Sequence, residues 1–435
     1  MIYRNAIKYL HSAPTTAEIK PSADRIQLLC KYLGNPQKNL KYIRLAGSNG
    51  KTVCSQLLVS VLKEANIKTG CLNMPVRSDI KENIIVDSSC LTMEEVASYA
   101  TAVAAAINQI NDDIQKNAVS DVEGDEPQDS LELFTPTGSE IMLMMALLAF
   151  KENNCELCII ESDHNKADPS RFLPPPFSAV ICGTIPSGDK KEISRIRSYI
   201  CRGIQEIVSA PQNQEAYQVI SDTCSSVNCR LTIPLKSEMS ITRLALKATD
   251  FIYKNQEYSM RLCGRFEIAN ASVALETFDM LTRRGYNISY ENIKKGLAKV
   301  NIPSKFEIIS STPYIIADST HSPIAIETVC DSMTDFKELT GTKIRLCLPE
   351  GEIINNYVKA LNARGYDIEK IITVSHDVSS YEDIIDGIDV IAMKNFKQAA
   401  KEALNQLSQD TLLLISGPYS FTSEVRYEVL AILNF

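Results

Sequence analysis

The chain has 435 residues, 45% hydrophobic and 23% charged, with a net charge of −8. That length calls for two or three domains, and the acidic balance excludes a general nucleic-acid binder, which carries a basic excess. The longest apolar run, Ile141 to Phe150, has ten residues, short of the roughly 18 that a membrane span needs.

The opening Met1-Ile2-Tyr3-Arg4-Asn5 lacks the long apolar region of a secretory signal. Thirteen cysteines are scattered and odd in number, with Cys155 and Cys158 at CxxC spacing and Cys224 and Cys229 the next nearest pair. Reduced thiols in a cytoplasmic protein are therefore expected, several of them buried as small apolar groups.

In chain order, residues 22–33 repeat apolar positions at helical spacing, and Gly34-Asn35-Pro36 stops that helix. Tyr42 to Ala46 reads as a short strand, Gly47 to Gly50 as a tight turn, and Val53 to Ala65 as a helix. A second helix is expected over Leu91 to Ile114, opened by Thr92 with Glu95 three residues on, the pattern of a capping box. The acidic stretch 121–126 reads as an exposed loop. A strongly apolar helix over Gly138 to Lys151 precedes strands at Leu157–Glu161 and Ala179–Cys182.

Helices alternating with continuous apolar strands indicate an α/β fold with a parallel sheet covered on both faces. Further on, Phe251 to Leu262 reads as a hairpin around Lys254-Asn255, and Ile268 to Arg284 as a helix ending at Gly285. After residue 300 the pattern restarts, with strands expected at Tyr314–Ala317, Lys343–Leu348, Lys370–Val374 and Thr411–Ile415. Two domains are thus expected, 1–300 and a smaller α/β domain over 301–435.

The sharpest local signal is Ala46-Gly47-Ser48-Asn49-Gly50-Lys51-Thr52, between a strand and a helix. Glycines let the backbone bring its N–H groups to an anion, and the helix that follows aims its positive end at the same point. Lys51 supplies a charge for a terminal phosphate, and the Thr52 hydroxyl a ligand for Mg²⁺. The fit to the P-loop pattern is imperfect, because Leu45 occupies its first glycine position.

This turn in its setting resembles the loop of the folylpolyglutamate and dihydrofolate synthases, relatives of the Mur ligases. Other landmarks follow in order. Leu33-Gly34-Asn35-Pro36 is similar to the family's LG-x-P turn, and Lys81 to Val86 to its NERI stretch. Gly264 with Asn270-Ala271 resembles its second nucleotide motif, Pro303-Ser304-Lys305-Phe306-Glu307 its PGR-x-E, and Asp318 to Pro323 its DGAHNP. The resemblance implies a P-loop-like ATPase domain of the Mur ligase central-domain type, followed by a Rossmann-like domain. It also implies ATP and Mg²⁺ as cofactors, a folate-type carboxylate and glutamate as small-molecule substrates, and a monomer. ATP phosphorylates the carboxylate, and the amino acid attacks the acyl phosphate to make an amide.

Carried over by position, Lys51, Glu161 and His321 are the candidate catalytic residues. Gly47, Ser48, Asn49, Gly50, Lys51, Thr52, Asn270, Lys305 and Asp318 are the candidate nucleotide contacts, and Thr52 and Glu161 the metal ligands. Several family positions are changed. Met74-Pro75-Val76 stands for SPH, Ser162 to Lys166 for the glycines after the glutamate, and Cys201 for a metal-site lysine. Phe266-Glu267 replaces HQ, and no histidine follows Cys182-Gly183. His164 could partly replace a lost histidine, and Arg171 could bind phosphate, although both also suit an ordinary surface.

Three readings stay open: an active amide ligase, a nucleotide-binding homologue without turnover, and a Mur-type ligase with another acceptor.

Overall fold

Apolar runs with no polar alternation become strands covered on both faces. The structure is a computed structural model. It describes all residues except 16–17, 48, 75–79, 121–132, 163–167, 175, 247, 337–338, 376–381, 386 and 434–435. Compactness divides the chain into two units, each assembled from two segments: residues 1–236 with 269–296, and residues 237–268 with 297–435.

In the first unit the chain runs through α1 (Tyr3–Ser12), α2 (Ala23–Tyr32), β1 (Tyr42–Ala46), α3 (Lys51–Glu64), β2 (Thr69–Leu72), β3 (Ile84–Val86), β4 (Ser89–Cys90), α4 (Met93–Ser120) and α5 (Gly138–Glu152). It continues through β5 (Leu157–Glu161), β6 (Ser178–Ile181), α6 (Lys190–Arg197), β7 (Glu206–Ser209), α7 (Gln214–Ser226) and β8 (Arg230–Thr232). The strands form one sheet in the order β4-β3-β2-β5-β1-β6-β7-β8. From β2 to β8 every pairing is parallel, while β3 and β4 are antiparallel at one edge.

Apolar clusters build this unit's core. One joins α1, α2, α4 and α5 with Leu72, Cys158 and Ile160 of the sheet. Another joins α6 and α7 with Ala179, Ile181 and Ile207. Helix α5 is buried over most of its circumference, which is why Ile141 to Phe150 carries no polar face. Each fully buried Leu or Met there is worth about 1.5–3 kcal/mol. Its start is fixed by a capping box in which Thr137 and Glu140 satisfy each other's backbone N–H groups. Arg25 neutralises the buried Glu140 carboxylate at 3.1 Å.

The second unit begins with a three-stranded antiparallel sheet of β9 (Met239–Ala245), β10 (Ala248–Tyr253) and β11 (Gln256–Met260). The expected hairpin around Lys254-Asn255 is there, with both residues at positive φ, 48° and 60°, as a two-residue hairpin turn requires. After α8 (Arg265–Arg283) and α9 (Tyr290–Lys299) come β12 (Glu307–Ser311), β13 (Tyr314–Asp318), α10 (Pro323–Thr334), β14 (Lys343–Pro349), α11 (Glu352–Asn362) and β15 (Asp367–Val374). The chain ends with β16 (Glu382–Ile385), β17 (Ile388–Met393), α12 (Phe396–Leu404), β18 (Thr411–Ser416) and α13 (Tyr419–Leu433).

The seven-stranded sheet has the order β12-β13-β18-β14-β15-β17-β16, parallel except at its two edge strands. Successive residues feed opposite faces. Ile316, Leu346 and Leu414 enter one core and Ile315, Cys347 and Ile415 the other, the period of two that a strand imposes. The first of these cores also contains Leu246 and Cys263.

Strands expected at Tyr42–Ala46 and Leu157–Glu161 are found with those bounds. The helix expected over Leu91 to Ile114 starts at Met93 and runs on to Ser120. Its expected capping box is present: the Thr92 N–H donates to Glu95 at 2.8 Å, and the Glu95 N–H to Thr92 at 3.2 Å. The acidic stretch 121–126 lies outside the described residues. No helix among the described residues is long and apolar enough to cross a membrane.

Candidate functional site

In a parallel sheet, ligands collect beyond the carboxyl ends of the strands. In the first unit four adjacent strands present those ends together. β1 leads into Gly47, β2 into Asn73 and Met74, β5 ends on Glu161, and β6 leads into Cys182 and Gly183.

Gly47 has φ 125°, and any Cβ there would overlap the Cys182 carbonyl oxygen. Gly50, the residue before α3, has φ 79°, and a Cβ would overlap the Asn270 side-chain oxygen. These two positions need glycine, because the backbone bends into the left-handed region with no space for a side chain. Asn49 approaches the neighbouring strand end as well, since a Cβ on Gly183 would stand 2.9 Å from its carbonyl oxygen. Ser48 lies outside the described residues.

The Lys51 side chain curls back over this loop and donates from Nζ to the Gly47 carbonyl at 2.6 Å. It is 3% exposed. Burial holds its ammonium below the ordinary lysine value, and the Glu161 carboxylate is the largest influence in the other direction. Thr52, half-buried, opens the helix beside it.

Glu161 is 1% exposed. Its Oε1 accepts from Ser55 Oγ at 2.6 Å and its Oε2 from the Met74 N–H at 3.3 Å. Ser55 lies one helical turn beyond Lys51, so its hydroxyl reaches the same strand end. Buried Asn73 completes the cluster. It accepts from Ser55 at 3.4 Å and donates to the Glu82 carbonyl at 2.9 Å, while Asn83 donates to the Asn73 carbonyl at 2.7 Å.

Sequence reasoning missed Ser55 and Asn73. The signals available were a hydroxyl at i+4 from the lysine and an asparagine just after the second strand.

Further along the chain, Asp168 is fully buried within reach of the Arg44 charge. It accepts from the Ser170 N–H at 3.0 Å, the Ser170 hydroxyl at 2.8 Å and Tyr199 at 2.9 Å. Burial pushes its carboxyl up, and Arg44 opposes that. Arg171 lies over the Tyr199 ring, 5.9 Å from its centre, and His164 falls outside the described residues.

Changed positions have plain structural counterparts. Met74 is buried and supplies Glu161 with a backbone N–H, not with a side-chain oxygen. The Cys201 thiol is raised by burial, so it stays neutral where the resemblance assigns a lysine. Among the described residues no group of three or more His, Cys, Asp and Glu side chains is gathered as for a metal. Thr52 and Glu161 offer a hydroxyl and a carboxylate. These hard oxygen donors suit an Mg²⁺ ion otherwise held by water and phosphate.

The remaining candidates belong to the second unit. Asp318 ends β13 and is 3% exposed. Its two carboxylate oxygens accept from the Phe306 N–H at 2.7 Å and the Thr320 N–H at 3.0 Å. Ser416, at the end of β18, donates to the carbonyls of Asp318 and Thr320 at 2.9 and 3.0 Å. Asp318 thereby ties two loops to the end of the sheet. Lys305 is half-buried in one of them, and its N–H donates to Ile302 at 3.2 Å. His321 is exposed just before α10, with Nδ1 3.4 Å from the Ser319 carbonyl.

A glycine loop with a buried lysine thus lies at the carboxyl ends of one parallel sheet, and the second unit is built on another. No protein-family model matches the chain. It is 23% identical over 446 residues to the dihydrofolate synthase/folylpolyglutamate synthase of Bacillus subtilis, covering 98% of each chain. It is also 23% identical over 406 residues to the UDP-N-acetylmuramoyl-L-alanyl-D-glutamate–2,6-diaminopimelate ligase of Aquifex aeolicus, covering 89% of this chain and 74% of that one. The solved FPGS–AMPPCP–folate complex superimposes with a TM-score of 0.76 at 19% identity, covering 99% of this chain and 100% of the other. The chain is a divergent relative of the folylpolyglutamate and dihydrofolate synthases and has their fold.

Proposed function

We propose that the protein is an ATP-dependent amide ligase that adds glutamate to a folate-type carboxylate through an acyl phosphate. The observation that carries this reading is the buried Lys51, curled over the Gly47 loop beside the buried Glu161.

In this reading Gly47 to Gly50 present backbone N–H groups to the ATP phosphates, and Lys51 leaves the Gly47 carbonyl for a phosphate oxygen. Lys51 already lies over the loop before ATP arrives, so only a change of hydrogen-bond partner is needed when charge develops. Thr52 and Glu161 would hold Mg²⁺, which offsets phosphate charge when bound. Ser55 keeps the Glu161 carboxylate aimed at that point. Asn270 borders the loop at Gly50 and is the proposed contact for the nucleotide. Lys305, Asp318 and His321 are proposed nucleotide-site residues, with Asp318 fixing the loop that carries Lys305.

Proposed domain limits follow the change in pattern, 1–300 for ATP binding and 301–435 for the second domain. A cytoplasmic location is proposed as well, supported by thirteen cysteines without a disulfide.

A second reading, nucleotide binding without turnover, is favoured by the neutral Cys201 thiol and by Met74 at the serine position. One experiment separates the two: phosphate release from Mg-ATP, with a reduced folate and glutamate added singly and together. The ligase reading expects release only with both, and its loss in Lys51→Ala. Mg-ATP binding with no release under any combination of folates and glutamate would sink it in favour of the second.

A further inference from the structure

Far along the sheet from the phosphate loop, helix α7 ends in a turn that brings two cysteines together. The helix stops at Ser226, Val227 caps it, and Asn228 takes the left-handed conformation at φ 56°. The chain then folds back so that the Cys229 N–H donates to the Cys224 carbonyl at 2.8 Å. This six-to-one bond is that of a Schellman turn, in which the side chains at the two ends of the bond meet.

In most proteins the meeting pair is apolar; here both members are thiols. Backbone bond lengths and that hydrogen bond cap the separation of the two Cα atoms at about 6.7 Å. A disulfide spans Cα separations of about 4.4–6.8 Å. Cys224 is 2% exposed, in the cluster under α7, while Cys229 is half-buried.

We propose that Cys224 and Cys229 form a reversible dithiol–disulfide pair, a site of oxidation by peroxide-class oxidants. In the reduced protein the Cys229 thiol lies beside that of Cys224 and donates to the Arg230 carbonyl at 3.5 Å. The neighbouring thiol lowers Cys224 below its ordinary value and raises Cys229, so Cys224 is the more readily deprotonated of the two. The Cys224 thiolate attacks one oxygen of hydrogen peroxide, giving a sulfenic acid and hydroxide. The Cys229 sulfur, losing its proton to that hydroxide, displaces the sulfenic oxygen, which leaves as a second hydroxide and is protonated to water. One S–S bond forms, two thiols are oxidised, and one peroxide becomes two waters. Having a partner in place diverts the sulfenic acid from irreversible oxidation.

The sequence supplies a clean readout, because Gly203 to Arg230 contains no internal Lys or Arg and carries both cysteines on one tryptic peptide. Cys201, a competing thiol nearby, falls on the separate peptide Ser198–Arg202. The intact protein is treated with hydrogen peroxide, alkylated with iodoacetamide, digested and weighed, with and without prior dithiothreitol. The expected peptide is unalkylated and lighter by two hydrogens, and dithiothreitol restores the doubly alkylated form.

In Cys229→Ser, dimedone should trap a sulfenic acid at Cys224 that it does not trap in the parent protein. A doubly alkylated peptide after oxidation, a sulfinic acid on either cysteine, a link from Cys229 to Cys201, or equal dimedone labelling of parent and variant would each overturn the proposal.

Discussion

Gly47 is held from two sides, by its own φ of 125° and by the Cys182 carbonyl against which a Cβ would collide. Neither partner is a flexible side chain, so a methyl group must displace backbone. Gly47→Ala is expected to cost about 1–3 kcal/mol in loop geometry. Mg-ATP binding should then weaken by roughly 5- to 150-fold, as titration calorimetry would show.

Ser55→Ala tests the carboxylate beside it. It removes a 2.6 Å donor from a buried charge and should cost about 1–3 kcal/mol of stability. The urea midpoint should fall while the m-value stays constant; an unchanged midpoint would mean that another donor replaces Ser55.

Lys51, Thr52 and Glu161 could be read from sequence because each is fixed by its place on one strand or one turn. Ser55 and Asn73 could not, since their roles come from side chains 106 and 18 positions away from Ser55. Asp318 was legible as a strand-end carboxylate. That both its oxygens are engaged by backbone N–H groups depends on a loop twelve residues earlier.

At the level of elements, one sequence motif appears twice in different surroundings. Thr137 and Glu140 form a capping box that is fully buried, while Thr92 and Glu95 form one that solvent reaches. Water can replace the lost hydroxyl at Thr92 but not at Thr137. Thr137→Ala is therefore expected near 2 kcal/mol and Thr92→Ala near 0.5 kcal/mol, the two ends of the usual range. Thermal unfolding of the two variants side by side would show the difference, and equal losses would contradict it.

Burial also decides which elements sequence reveals. β1 and β5 are buried at every position and are apolar but for Arg44 and Glu161. β8 has three residues, none fully buried, and β9 exposes most of its side chains, so their patterns resemble loop. The central strands of the second sheet, apolar on both faces, were legible for the same reason as β1 and β5.

Across the whole molecule, the thiols outside the Cys224–Cys229 pair should divide by depth. Burial pushes Cys30, Cys330 and Cys347 up to about 12. Near pH 8 these thiols hold about a thousandfold less thiolate than an ordinary cysteine. Cys90, exposed on β4, is not sheltered in this way. Limited iodoacetamide treatment of the native protein should label Cys90 first and leave the three buried thiols intact, as peptide mass mapping would report. Early labelling of Cys347 would mean that the second unit opens locally.

The strand–helix pattern restarts near residue 301, whereas the compact units exchange segments well before it, at 237–268 and 269–296. The return of 269–296 to the first unit was not legible, because re-entry leaves no mark in composition or periodicity.

That re-entry governs the order in which the protein can be completed during synthesis. Residues 237–268 leave the ribosome before the last segment of the first unit, yet they belong to the second. Leu246 and Cys263 must wait for Phe306, Ile316 and the strands that follow before their shared core exists. For that interval the β9–β11 segment, with its apolar residues uncovered, is tethered between an unfinished first unit and an unmade second one. Translation speed over residues 237–316 thus becomes a parameter of folding yield.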